Sequence, residues 1–257
     1  MINFLIFSKN RAAQLDLLLR SLQAYCRLDN FKVSILYKET VNHKESYNKC
    51  IVKHSYYAEF IKEQNFKNNF INQLNEEYTC LLTDDTVFFN TFNNIIYPKY
   101  DKCFSLRLGY NTVVQNHFTN QLQPPLFPDE KEGNVISWNP SKYSNCFNFG
   151  YPFSFDGHIY QSKLLLDILS NKDFQSTNDA EGILNNNRNI ITKVYCFEHS
   201  CCVNVPCNNL SGLTDYGKIR YYGLDELRDN YERGYSLYFN EEEPILGCHQ
   251  ELEFLYV

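Results

Sequence analysis

The chain has 257 residues, with 24 Lys plus Arg against 30 Asp plus Glu, a formal net charge of −6 and a pI near 5.5. That balance excludes the overall basic footprint that nucleic acid or an anionic membrane demands, and it leaves room for a local basic pocket facing a diphosphate. Hydrophobic residues at 44% are enough for a sizeable core, and aromatics reach 16% through 20 Tyr, 20 Phe and one Trp. No apolar run approaches the ~18–20 residues needed to cross a bilayer. The short apolar start has no basic residues before it and no small-residue cleavage site after it, so it reads as a buried strand of a cytoplasmic protein.

Residues 2–7 form an apolar run of strand length. Leu15, Leu18, Leu19 and Leu22 follow at i, i+3, i+4 and i+7, one face of a helix. Residues 8–11 are therefore the loop of a strand–loop–helix unit. Residues 32–37 predict a second strand and residues 43–52 a helix, with a short strand near Tyr56. Phe66, Phe70 and Leu74 mark a further helix. Residues 78–82 predict a strand that ends in Thr83-Asp84-Asp85. The alternation predicts an α/β domain with a mostly parallel central sheet and helices on both faces. Ligands of such sheets bind beyond the carboxyl ends of the strands, where residues 8–11, Lys38 and Glu39, and Asp84 and Asp85 should share one edge.

The second half changes character. Residues 103–108 and Val135–Trp138 predict strands, and the Pro-containing stretch 121–133 a mobile loop between them. Residues 161–169, 178–186 and 224–231 predict helices, and 202–205 a short strand. With no repeat and no long linker, a single domain is expected.

The ten cysteines include no C-x-x-C pair. His199, Cys201, Cys202 and Cys207 come closest to a metal cluster, but adjacent cysteines on an extended chain point to opposite faces. Buried free thiols are the simpler expectation, and the sequon at Asn209 is read as accidental. Two carboxylates at a strand end are costly unless a cation meets them, which Asp84 and Asp85 satisfy either as a solvated turn or as a holder of a hard divalent ion. His249 is a structural histidine unless the fold returns it to Asp85. In Asn178-Asp179-Ala180-Glu181 the carboxylates serve as helix caps or as a general base. The aromatic turn around Asp156 is either core or a platform for a sugar. The Ser8-Lys9-Asn10-Arg11 loop suits a phosphate at a helix start.

Taken in order, these features resemble the GT-A-fold glycosyltransferases, specifically the family 2-like group. The resemblance is carried by IFSKNRAAQLDLLLRSL, TDD, FSLRLGYN, FSFDGHIY, CCVNVPCNN and the C-terminal Gly247-Cys248-His249. It implies a single GT-A-like domain, with residues 1–100 as the nucleotide-sugar-binding half and 101–257 as the acceptor-binding and catalytic half. It further implies a metal-dependent, inverting glycosyltransferase that moves a sugar from a nucleotide-diphosphate sugar, with UDP-sugar favoured, to a hydroxyl of a glycan or other acceptor. Asp85 and His249 would hold Mn²⁺ or Mg²⁺. Ser8, Arg11, Lys38, Tyr47, Asp84 and Arg107 would meet the nucleotide, Glu181 would be the base and Asp156 would orient the acceptor. TDD departs from a symmetric D-x-D, and Ala-Glu-Gly from the more frequent Glu-Asp, which keeps Asp179 open as the base. A non-catalytic nucleotide-sugar or glycan-binding module is the alternative. A nucleotidyltransferase would carry a Gly-rich loop where this chain has SKNRAAQ.

Overall fold

The computed structural model describes residues 1–94, 103–116, 121–144, 147–206, 222–240, 244–250 and 254–257. Strand β1 (Ile2–Lys9) is buried on both faces. Its alternate side chains feed two cores: Ile2, Phe4 and Ile6 enter one, Leu5 and Phe7 the other. A strand that supplies apolar side chains to both sides reads as a continuous hydrophobic run, the signature of a sheet covered on both faces. Asn10, in the loop that follows, takes a positive φ of 57°. Its amide oxygen accepts from the Thr40 N–H at 2.8 Å, which ties the first two strand ends together.

Helix α1 (Ala12–Tyr25) buries Leu15, Leu18, Leu19 and Leu22, the face its periodicity predicts. Strand β2 (Phe31–Lys38), helix α2 (Lys44–His54), strand β3 (Glu59–Lys62), helix α3 (Phe66–Asn72) and strand β4 (Tyr78–Thr83) complete the alternating half. The second half contributes β5 (Thr86–Phe88), β6 (Cys103–Ser105), β7 (Glu130–Glu132), β8 (Val135–Trp138), β9 (His158–Gln161), α4 (Ser162–Leu169), α5 (Thr177–Asn186), β10 (Val194–Phe197), β11 (Cys202–Asn204) and α6 (Leu224–Glu232).

Nine strands form one sheet in the order β7-β8-β10-β6-β9-β4-β1-β2-β3. Only β8 and β9 run against the common direction: β1 to β4 pair in parallel, as do β6 and β10, and each remaining pairing is antiparallel. The fold is therefore α/β with a large, mostly parallel sheet. Helix α1 packs with α2 and α6, and its apolar face joins the core of Phe4 and Ile6. Helices α3, α4 and α5 pack into the core of Leu5 and Phe7 through Phe66, Phe70, Leu165, Leu169 and Leu184. Strands β5 and β11 pair off the main sheet.

Several expectations shift. Residues 121–133 hold a two-residue strand, Gln121–Leu122, and strand β7. β7 is exposed along its length and is held by its register with β8, Lys131 opposite Ile136, so it carries no hydrophobic pattern to read. The strand expected near Tyr56 is β3, a few residues on. Residues 103–108 pair as a strand only to Ser105. The aromatic turn around Asp156 feeds directly into β9, a central strand too short to show alternation. Cys207, the sequon at Asn209, the acidic start at Glu241 and the boundary at residue 100 lie outside the described residues. Cys26, Cys50, Cys80, Cys103, Cys196, Cys201, Cys202 and Cys248 are buried free thiols.

Candidate active site

The register of the sheet brings chemistry-bearing residues to one edge. Ser8 lies beside Tyr37 and Lys9 beside Lys38 across β1 and β2, while Phe7 lies beside Thr83 across β1 and β4. Residues 8–11, Lys38 and Asp84 with Asp85 thus leave the sheet on the same side.

On the β1–β2 side, the Tyr47 ring of α2 stacks on Tyr37 at 5.0 Å between centroids. Its hydroxyl sits 2.6 Å from Ser8 Oγ and accepts from the Arg11 N–H at 3.3 Å. Burial pushes the Tyr47 phenol up, and the Asp84 charge adds to this. Lys38 is placed apart from this group: its Nζ is exposed and pairs with Glu63 at 3.0 Å.

Asp84 is buried, and its carboxylate accepts from the Lys9 N–H and from Arg11 Nη1, both at 3.1 Å. The same guanidinium nitrogen stands 3.5 Å from Asp85 Oδ2. Burial raises the Asp84 carboxyl to about 6, against the pull of Arg11 and with help from the Asp85 charge.

Asp85 turns its other oxygen inward. Oδ1 accepts from Thr83 Oγ1 at 2.7 Å and from the Asn204 amide at 3.0 Å. That amide also donates to Asp156 Oδ1 at 2.9 Å. Asp156 Oδ2 meets Arg107 Nη1 at 3.1 Å and His249 Nε2 at 3.2 Å. Burial works against the Asp156 charge, but His249 and Arg107 hold its carboxyl well below the usual range. The imidazole responds in the opposite sense: burial disfavours its charge, yet Asp156 and Cys248 raise it above the ordinary histidine value. Arg107, expected to meet the nucleotide, is 2% exposed and pairs with Asp156.

Glu181 lies in the second turn of α5. Its Oε1 accepts from the Phe155 N–H at 3.3 Å, which seats it on the turn that carries Asp156. Burial, and then the Asp156 charge, raise its carboxyl to about 7. Asp179 has a different task. Ser176 Oγ accepts from the Asp179 N–H at 3.1 Å, while Asp179 Oδ2 accepts from the Gln175 N–H at 3.1 Å. Ser176 thus caps α5 while the Asp179 carboxylate ties down the residue before the cap, and Asp179 stays exposed.

Sequence reasoning passed over Asn204. It is 2% exposed, and its backbone N–H donates to Cys248 O at 3.0 Å while its carbonyl accepts from the Gln250 N–H at 2.9 Å. Its signal was an amide between Val203 and Val205, a polar side chain in an apolar run that calls for buried partners.

Among the described residues no group of three His, Cys, Asp or Glu stands ready to hold a metal ion. The donor chemistry still fits one kind of ion. Asp85 Oδ2 lies on the Arg11 side, 3.5 Å from Nη1, His249 joins the same cluster through Asp156 Oδ2 at 3.2 Å, and Mg²⁺-like ions need only one or two protein ligands when a diphosphate supplies the rest. Such binding requires His249 to release the proton that Asp156 favours.

No protein-family model matches the chain, and no curated protein matches it. Solved structures do. The chain is similar to S. aureus TarS 1–349 in complex with UDP, with a TM-score of 0.51, 12% identity, and coverage of 80% of this chain and 61% of that one. It also matches a longer S. aureus TarS structure at a TM-score of 0.48 and 14% identity, over 80% of this chain and 37% of that one. A third match is the mannosyltransferase PcManGT from Pyrobaculum calidifontis in complex with GDP-Man and Mn²⁺, at a TM-score of 0.49 and 9% identity, over 82% of this chain and 58% of that one. The chain therefore spans between 37% and 61% of the length of these proteins. At such identities the first likeness bears on fold alone, and the fold is GT-A-like.

Proposed function

We propose that the chain is a glycosyltransferase that takes a sugar from a nucleotide-diphosphate sugar, UDP-linked by preference, and delivers it with inversion to a hydroxyl of a glycan or other acceptor. The observation that carries this reading is Glu181. It is a carboxylate raised to about 7 and seated on the Asp156 turn, at the sheet edge where the strand-end acidic pair also lies. A general base works best with a pKa near the operating pH, and burial with a like-charged neighbour is the physical route to that value.

In this reading residues 1–100 form the donor half and 101–257 the acceptor half. Tyr47, stacked on Tyr37 and anchored by Ser8, borders the nucleobase site. Arg11 turns from its acidic partners to the diphosphate. Asp85 and His249 would hold a Mn²⁺ or Mg²⁺ ion, whose chemistry when bound is Lewis-acid neutralisation of the departing diphosphate. Glu181 takes the acceptor hydroxyl proton as that oxygen attacks the anomeric carbon from the face opposite the leaving group. Asp156, fixed by Arg107 and His249, orients the acceptor and keeps Glu181 basic. Lys38 is left at the rim of the nucleotide site. A cytoplasmic place of action belongs to the proposal; the buried free thiols favour a reducing compartment, and among the described residues no helix is long and apolar enough to cross a membrane.

The test is to incubate the full chain with UDP- and GDP-sugars and a glycan panel, with and without Mn²⁺, and to measure nucleoside diphosphate release. Release that depends on acceptor and on Glu181 supports the reading. Binding with no release by any donor favours the non-catalytic module.

A further inference from the structure

The Asn204 carboxamide touches three residues from two segments that are distant in sequence. Its Nδ2 lies 2.8 Å from Thr83 Oγ1, 3.0 Å from Asp85 Oδ1 and 2.9 Å from Asp156 Oδ1. Its backbone brackets His249, through Cys248 on one side and Gln250 on the other. Two carboxylate oxygens approach one nitrogen here, and hydrogen counting shows what keeps them together. The amide brings two hydrogens and Thr83 one, and these are shared among Asp85 Oδ1, Asp156 Oδ1 and Thr83 Oγ1. Thr83 is within reach of both carboxylates, at 2.7 and 3.0 Å, but has one hydrogen to give. Without the amide, one of the two half-buried carboxylate oxygens loses its protein donor.

We infer that Asn204 is a positioning residue of the donor site, whose amide holds Asp85 Oδ1 in the inward network so that Oδ2 is left on the Arg11 side, 3.5 Å from Nη1. This rests on the nucleotide-sugar reading above and adds a residue to it. Asn204 itself touches neither donor nor acceptor in this role. It acts through Asp85, and its backbone sets the place of His249. Asp85 Oδ2 and His249 are the two groups assigned to the diphosphate's ion, so one residue bears on both, its amide on Asp85 and its backbone on His249. The nucleoside end, at Tyr47 and Ser8, is built from other elements.

The experiment is calorimetry on the full chain with uridine, and with UDP plus Mn²⁺, for wild type, Asn204→Leu and Asn204→Ala. GDP and guanosine form a parallel arm. Asn204→Leu keeps side-chain bulk and removes both donors, while Asn204→Ala removes bulk as well, and both keep the backbone bonds. In both variants the nucleoside should bind within about twofold of wild type, and UDP with Mn²⁺ should weaken about tenfold or more, the scale of a lost hydrogen bond to a charged group. Nucleoside binding doubles as the control for folding. Unchanged UDP affinity in Asn204→Leu, or equal losses for uridine and UDP, would overturn the positioning role. A wild-type chain that binds no nucleoside diphosphate would overturn the donor reading itself, and this role with it.

Discussion

Glu181 and Asp156 show how far two carboxylates can diverge within one cluster. Asp156 accepts from Thr83, Ser154, Arg107, Asn204 and His249, and stays charged. Glu181 accepts from the Phe155 N–H, and burial with the Asp156 charge pushes its carboxyl up to about 7. Glu181→Gln should therefore lower turnover by roughly 10²–10⁴-fold with donor affinity kept, read by steady-state kinetics beside donor titration. In the wild type, kcat/KM should fall as pH drops below about 7, because a protonated Glu181 cannot accept the acceptor proton. The sign for stability follows from the same shift. A carboxyl raised in the folded state is stabilising below its unfolded value and loses that contribution as pH climbs through the folded one. Glu181→Gln should thus raise the melting temperature at pH 8 and change it little at pH 4. Equal shifts at both pH values would count against a buried titrating Glu181. Much of this was visible in the sequence, because Asp84, Asp85 and Glu181 sit where apolar patterning stops or a helix starts. Asn204 was not, since its partners Asp85 and Asp156 are set by strand pairing across the molecule.

At the scale of elements, α5 and the β9 turn carry the site. Ser176→Ala removes the oxygen that accepts the Asp179 N–H and should cost about 1 kcal/mol of stability. Chemical denaturation measures this, and an unchanged midpoint would deny the cap its weight. Gly157 leads into β9 with φ of 93°, and a Cβ built there would come within 2.6 Å of Cys202 Sγ. Gly157→Ala should destabilise by about 1–3 kcal/mol. Adding Cys202→Ala should recover part of the loss, because it relieves the contact and leaves the strained backbone. Helix α1 was legible from its leucines, since one amphipathic face suffices to define it. Strand β9 was not: four residues squeezed between a turn and α4 leave no period to detect, and only their pairing to β4 and β6 makes them a strand.

For the whole molecule, the two halves share one sheet. β9 joins β4 to β6, β5 pairs with β11, and α6 packs on α1 and α2. Denaturant unfolding should therefore show one cooperative transition by both fluorescence and circular dichroism; two separated transitions would contradict the single-domain account. The α/β alternation made the parallel half readable. The mixed half depended on crossovers that short strands do not announce. The central claim is that this sheet edge transfers a sugar from a nucleotide-diphosphate donor with Glu181 as base. The most direct measurement is nucleoside diphosphate release from a donor panel by wild type and Glu181→Gln, each in Mn²⁺ with acceptors present. The account predicts release by the wild type from at least one donor, UDP-linked first, and its near-complete loss in Glu181→Gln with donor binding intact. Release that persists undiminished in Glu181→Gln, or a wild type that binds and turns over none of the donors, would contradict it.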